Sequence, residues 1–331
     1  MAAITIDSLR KEYGDTVAVD GLSLSVDAGE VFGFLGPNGA GKSTTIDALL
    51  GHVRPTAGSV TVLGRDATTE SRAVRESVGV LPDGYALYDR LTAREHVAMA
   101  RSFRDADDDP DAVLARVGLA DAADRRAGGF STGMAQRLAL GMALVDDPDV
   151  LVFDEPSAGL DPTGIADLRR IVAAAAERGA TVFFSSHDLA QVEAVCDRVA
   201  IVDDGRLVAV DSVAGLRERA GALATLSVAA DPLPDPASFL GIDGVRDAAV
   251  DGDRLLCRCV NAEAKVRALR AVFDSGVRVT DVDTDDASLE DLFAAALGDD
   301  DGDAVEAVPR GGSVATDGRE PASPTAPEGV R

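Results

Sequence analysis

The run Gly36-Pro37-Asn38-Gly39-Ala40-Gly41-Lys42-Ser43-Thr44 constrains the fold more than any other stretch of the chain. It fills the pattern GxxxxGK[ST] and lies between an apolar β-type run, Val31 to Leu35, and the helical pattern KSTTIDALLG. Strand, glycine loop and helix in that order make a phosphate cradle. The glycines let backbone N–H groups turn inward around phosphate oxygens, and the helix aims its N-terminal dipole at the same anion. In such a loop Lys42 pairs with the β- and γ-phosphates of a nucleotide and Ser43 ligates Mg²⁺. Lysine occurs elsewhere only at Lys11 and Lys265, so Lys42 is hard to read as a generic surface charge.

A second signal closes the apolar run VLVF at 150–153, where Asp154 is followed by Glu155 and Pro156. A buried parallel strand delivers acids at its carboxyl end, where open α/β sheets bind ligands. Asp154 is suited to hold Mg²⁺ through water, and Glu155 to orient and deprotonate an attacking water. Without the glycine loop, the same pair would read as a solvated strand end or a helix cap.

Around these motifs the chain divides by character. From Ala3 to about Leu63, β-type runs (AITIDSL, LSLSV, VFGFL, SVTVLG) alternate with turns; 91–145 reads helical, opening with Thr92 and Glu95 at capping-box spacing; then βα units resume through VLVF and TVFF. Short apolar strands separated by helices predict a parallel sheet covered on both faces. From about Ala220 the order strand, short helix near Asp235, strand, strand, helix (261–273), strand predicts a ferredoxin-like βαββαβ unit. A last helix, ASLEDLFAAAL, precedes Gly298, after which there is no Leu, Ile or aromatic residue, so 298–331 is expected to stay disordered. The expected domains are therefore 1–220, 221–297 and an acidic tail at 298–331.

These motifs, with FSTGMAQRLALGMAL (130–144), DVLVFDEPSAGLDP (149–162) and FFSSHD (183–188), resemble the ATP-binding cassette (ABC) family over roughly residues 3–220. The C-terminal unit with its SLEDLF ending resembles exporter ATPases of the daunorubicin-resistance type. The resemblance implies an α/β P-loop cassette with a parallel core sheet, an antiparallel β subdomain and a helical subdomain, followed by a small α+β domain. It implies a cytoplasmic ATPase subunit, held at the inner face of the membrane by a permease, working as a head-to-tail homodimer that sandwiches two MgATP. Ser131, Thr132, Gly133 and Met134 would then face the γ-phosphate held by the second copy, where the sequence reads FSTGM instead of the commoner LSGGQ. His187 would sense that γ-phosphate, Asp161 would lie in the loop crossing the dimer, and Tyr13 would stack on adenine. From residue type alone, Ser131 and Asp161 read as helix caps, His187 as a capping histidine and Tyr13 as a core aromatic. Where the family usually has glutamine this chain has Asp83, which can accept from a metal-bound water but cannot donate as an amide does.

Composition limits the alternatives. Acidic residues number 57 against 32 basic ones, a net charge of −25, so a phosphate backbone would be repelled and nucleic acid is not an expected partner. A soluble cassette ATPase acting on DNA or ribosomes is the rival, but each motif occurs once and only about ninety residues separate Lys42 from Ser131. The tail carries −5 of that charge, which leaves −20 on the rest; aspartate dominates the acids and arginine the bases. Such self-repulsion is screened near molar salt, where the Debye length is about 3 Å, so a halophilic cytoplasm is expected. Three cysteines, Cys196, Cys257 and Cys259, predict no disulfide framework, and with no histidine beyond His187 they predict no metal site. His52 and His96 read as structural or surface residues, and Arg125 and Arg126 as surface ion-pair formers.

Overall fold

A computed structural model describes residues 1–104, 106–187, 192, 195–219 and 223–285. The expected helix ASLEDLFAAAL, the tail from 298, and Asp188 and Leu189 lie outside the described residues. Along the chain run β1 (Ala2–Tyr13), β2 (Thr16–Asp27), β3 (Val31–Leu35), α1 (Lys42–Leu49), β4 (Ala57–Val62), β5 (Arg65–Asp66), α2 (Ser71–Ser77) and β6 (Val78–Leu81). Next come α3 (Ala93–Arg104), α4 (Pro110–Arg116), α5 (Thr132–Ala143), β7 (Val150–Asp154), α6 (Pro162–Glu177) and β8 (Thr181–Ser186). A hairpin, β9 (Arg198–Asp203) and β10 (Arg206–Ser212), leads into α7 (Val213–Arg219). The last elements are β11 (Ala224–Asp231), β12 (Val245–Asp251), β13 (Arg254–Cys259), α8 (Ala262–Asp274) and β14 (Arg278–Asp285).

The central sheet has the order β10-β9-β3-β8-β7-β6, parallel except for β10. The inner strands β3, β7 and β8 carry apolar residues in succession because neighbouring side chains enter two different cores. Val31 and Leu35 of β3, Leu151 and Phe153 of β7, and Val182 and Phe184 of β8 pack with the helices α3 to α6. Their neighbours Phe32, Phe34, Val150, Val152 and Phe183 pack beneath the antiparallel sheet β2-β1-β4-β5 and α1. There Phe183 stacks on Phe32 with ring centroids 6.0 Å apart and meets Phe34 at 5.2 Å.

The helical segment begins as its sequence predicts. The Thr92 N–H donates to the Glu95 carboxylate at 2.7 Å, and the Glu95 N–H donates to the Thr92 hydroxyl at 3.2 Å. His96, fully buried, ties the preceding loop down: the Tyr88 N–H donates to its Nε2 at 3.0 Å and its Nδ1 lies 2.8 Å from the Thr92 carbonyl. A carbonyl only accepts, so Nδ1 carries a hydrogen. His52 lies at the surface, 3.3 Å from Asp47.

The C-terminal sheet has the antiparallel order β12-β13-β11-β14, that of the expected βαββαβ unit, although its first helix is only a 3₁₀ turn, Pro236–Phe239. Cys257 and Cys259 share the buried face of β13 under α8, and Cys196 packs against the cassette core. All three thiols are free, and burial pushes Cys257 up to about 12. The hairpin β9–β10, which turns at Asp204-Gly205, was not among the expected elements. Arg125 donates to the Gly129 carbonyl and lies over the Phe130 ring, so it braces the turn before α5, and among the described residues it forms no ion pair with a carboxylate.

Candidate functional site

The glycine loop leaves the carboxyl end of β3 and closes onto α1, as its sequence predicts. Two glycines are required by close approach. A Cβ at Gly36 would lie 2.3 Å from the Val202 carbonyl oxygen of β9, and one at Gly41 would lie 2.4 Å from the Ala18 carbonyl oxygen of β2. Gly41 also takes a φ of +93° as the cap of α1, a conformation that side chains resist. Lys42, 7% exposed, donates from Nζ to the carbonyls of Gly36 at 2.7 Å and Pro37 at 3.2 Å.

Three strand ends converge on that ammonium group. β7 delivers Asp154 and then Glu155, whose Oε1 lies 3.3 Å from Lys42 Nζ. β8 delivers Ser185, opposite Asp154 in the parallel register, and then His187. His187 Nδ1 sits 2.8 Å from Glu155 Oε2. A carboxylate accepts, so Nδ1 carries the hydrogen and Nε2 is the ring's remaining polar atom. Glu155 is 13% exposed, has a φ of +48°, and its Oε1 is buried without a hydrogen bond of good geometry. A bulky non-glycine residue held in the left-handed region stores strain of about 1–3 kcal/mol and marks a position that surrounding contacts dictate.

Ser185, within FFSSHD, has a role that its residue type does not announce. Its hydroxyl donates to Asp154 Oδ1 at 2.5 Å and accepts the Glu155 N–H at 3.0 Å, so one side chain fixes both acids. Burial pushes the Asp154 carboxyl above its ordinary range; hydrogen bonds from Ser185 and Ser43 oppose that, while the charges of Glu155 and Asp83 add to it. Ser43 and Asp154 thus present adjacent oxygen donors of the hard type that Mg²⁺ takes. Among the described residues no three His, Cys, Asp or Glu side chains gather as a metal site, so a cation here would complete its shell with phosphate and water oxygens. Asp83 is exposed and acts on Asp154 through space.

The other expected residues form a separate group. Ser131 caps α5, its hydroxyl accepting the Met134 N–H at 3.3 Å, and Asp161 caps α6, accepting the Gly164 N–H at 2.7 Å. With Thr132, Gly133 and Gly159 they line one cavity of about 390 Å³. Tyr13, at the end of β1, is 47% exposed with Lys11 Nζ 4.7 Å from its ring centroid, which rules out the core reading of that aromatic.

The geometry can be set beside known proteins. The ABC transporter family model matches residues 19–158. A daunorubicin resistance ATP-binding protein of Streptomyces coeruleorubidus is 35% identical over 312 residues, covering 90% of this chain and 96% of that protein. The chain belongs to the ATP-binding subunits of ABC transporters. A Nod factor export ATP-binding protein of Burkholderia orbicola is 33% identical over 305 residues, 90% of this chain and 98% of that one. A solved structure of an ATP-binding subunit of an ABC transporter superposes with a TM-score of 0.60 at 28% identity, covering 66% of this chain and 93% of the other. An ABC ATP-binding subunit binds and hydrolyses ATP in partnership with a membrane permease. Among the described residues of this subunit no helix is long and apolar enough to cross a membrane.

Proposed function

We propose that this ABC subunit powers an exporter, hydrolysing MgATP at two composite sites of a head-to-tail homodimer docked on the inner face of the membrane. The observation that carries the proposal is the meeting of Lys42, Glu155 and His187 at the end of the parallel strands, beside Ser43 and Asp154. Export as the direction is supported by relatives named for drug resistance and Nod factor export.

In this scheme the loop 36–44 wraps the phosphates and Tyr13 stacks on adenine. Ser43 and Asp154, with Asp83, would hold Mg²⁺, which would neutralise charge on the phosphate oxygens. Phosphate competes with Glu155 for Lys42, and the carboxylate that Lys42 releases is left to His187 and to water. Glu155 takes a proton as the water oxygen bonds to the γ-phosphorus. The bond from that phosphorus to the bridging oxygen breaks, ADP leaves with the electron pair, and the proton ends on phosphate or solvent. His187 holds Glu155 by Nδ1 and contacts the γ-phosphate. Ser131, Thr132, Gly133 and Met134 at the start of α5 meet the γ-phosphate on the second copy's loop, and Asp161 lies across the dimer. In a test, the permease partner in liposomes should stimulate ATP hydrolysis several-fold while DNA and ribosomes leave it unchanged. Stimulation by DNA or ribosomes and none by the permease would overturn the assignment.

Residues 221–297 would form an accessory module of the exporter subunit, and 298–331 an acidic extension. The charge of −25 fits a salt-rich cytoplasm. The melting temperature should then rise between dilute and molar KCl as self-repulsion is screened, and a flat or falling curve would remove the halophile proposal.

A further inference from the structure

Gln136 is a glutamine in the middle of α5, only 5% exposed, with the buried Leu138, Ala139 and Leu140 following it. A buried amide costs stability unless it finds a partner. Its Nε2 donates to the carbonyl of Pro156, twenty residues further along the chain and one residue beyond Glu155. The same helix starts at Thr132 behind the Ser131 cap. One rigid element therefore has the 131–134 turn at its tip and, a turn later, a hydrogen bond onto the segment that carries Glu155.

That segment is built to pass a displacement on. Pro156 has a fixed φ, and Glu155 before it is held in the left-handed region. The Ala158 N–H donates to the Glu155 carbonyl at 3.1 Å and the Leu160 N–H to the Ser157 carbonyl at 3.1 Å, so 155–160 is a chain of tight turns. On its other side the Glu155 N–H is anchored to Ser185. Movement of α5 against the sheet must therefore bend this link or move Glu155 relative to Lys42 and His187.

We propose that Gln136 is a positioning residue that makes Glu155 at one ATP site answer to nucleotide at the other. The inference rests on the head-to-tail dimer proposed above. There the 131–134 turn of each copy meets the γ-phosphate bound by the other, while Glu155 serves the ATP bound by its own loop. Gln136 is the hydrogen bond that joins these two parts within one chain. The second ATP, by pulling on the start of α5, seats Glu155 for the first.

The ATP dependence of hydrolysis by the full chain tests this, comparing wild type with Gln136→Met and Gln136→Glu. Both substitutions keep the length of the side chain and remove the amide donor. Two coupled sites allow a Hill coefficient of up to about 2. The wild type should show cooperativity, and either folded variant should fall towards about 1, while ATP still dimerises the same variant combined with Glu155→Gln. A buried amide with a merely structural role would lower the melting temperature and leave cooperativity as it was. Wild-type cooperativity in either folded variant, or a non-cooperative wild type, overturns the proposal. Failure of ATP to dimerise the Glu155→Gln chain itself would instead remove the composite sites on which the inference stands.

Discussion

Replacing Lys42 by alanine is expected to lower ATP hydrolysis by a factor of at least about 10² to 10³, the usual cost of deleting a preorganised group that stabilises transition-state charge. The variant should remain folded, because Lys42 lies at the mouth of the sheet and its partners are two loop carbonyls and one carboxylate. Two effects add. The γ-phosphate loses its cation, and Glu155 loses the charge that faces its buried Oε1, so the base is misplaced as well as the substrate. Arginine should not rescue this activity, although it supplies nearly all the other basic charge in the chain. Lys42 Nζ reaches two carbonyls from a nearly closed site, and a planar guanidinium is too broad for the space that a point charge occupies there. Steady-state turnover with a melting curve for each variant separates lost chemistry from lost fold.

Glu155→Gln is the second large effect. The amide keeps the volume and can still meet His187, but it cannot take a proton from water, so turnover should fall by about 10² to 10⁴. Unlike the lysine variant, it should hold ATP at least as well as the wild type, since the amide no longer competes with phosphate for Lys42. Equilibrium binding of ATP beside turnover distinguishes the two: Lys42→Ala loses both, and Glu155→Gln loses only turnover. Wild-type turnover in Glu155→Gln would show that another group is the base.

What could be read from the chain alone follows how locally each feature is specified. The glycine loop was legible because strand, loop and helix are contiguous and because left-handed or crowded backbone at Gly36 and Gly41 leaves little choice of residue. Asp154 and Glu155 were legible because an apolar parallel strand broken by two acids at its carboxyl end puts them where open α/β sheets bind ligands. The order of the C-terminal sheet followed from alternation and spacing, and the short helix expected near Asp235 is there as a 3₁₀ turn. Ser185 and Gln136 were not legible. Each acts across a gap in sequence, Ser185 on acids about thirty residues earlier and Gln136 on a carbonyl twenty residues later, and neither gap carries a local pattern. A buried glutamine within an apolar helical stripe was the one available signal. The turn pair Asp204-Gly205 joins β9 to β10, a strand pairing that the βα reading of this half of the chain does not contain. Arg125 shows a related limit: charge predicts an ion pair, whereas the tertiary structure offered it a carbonyl and an aromatic ring.

In the proposed dimer ATP lies between two copies of this chain, with the loop at 36–44 from one and the 131–134 turn from the other. The most direct test is the solution mass of the full-length Glu155→Gln chain, measured by light scattering during size-exclusion chromatography, with and without MgATP in high salt. The chain should be a monomer without nucleotide and double in mass with MgATP, an effect lost again when Gly133→Asp places a like charge where the γ-phosphate must sit. A Glu155→Gln chain that binds ATP at full occupancy and stays monomeric would contradict the proposed dimer.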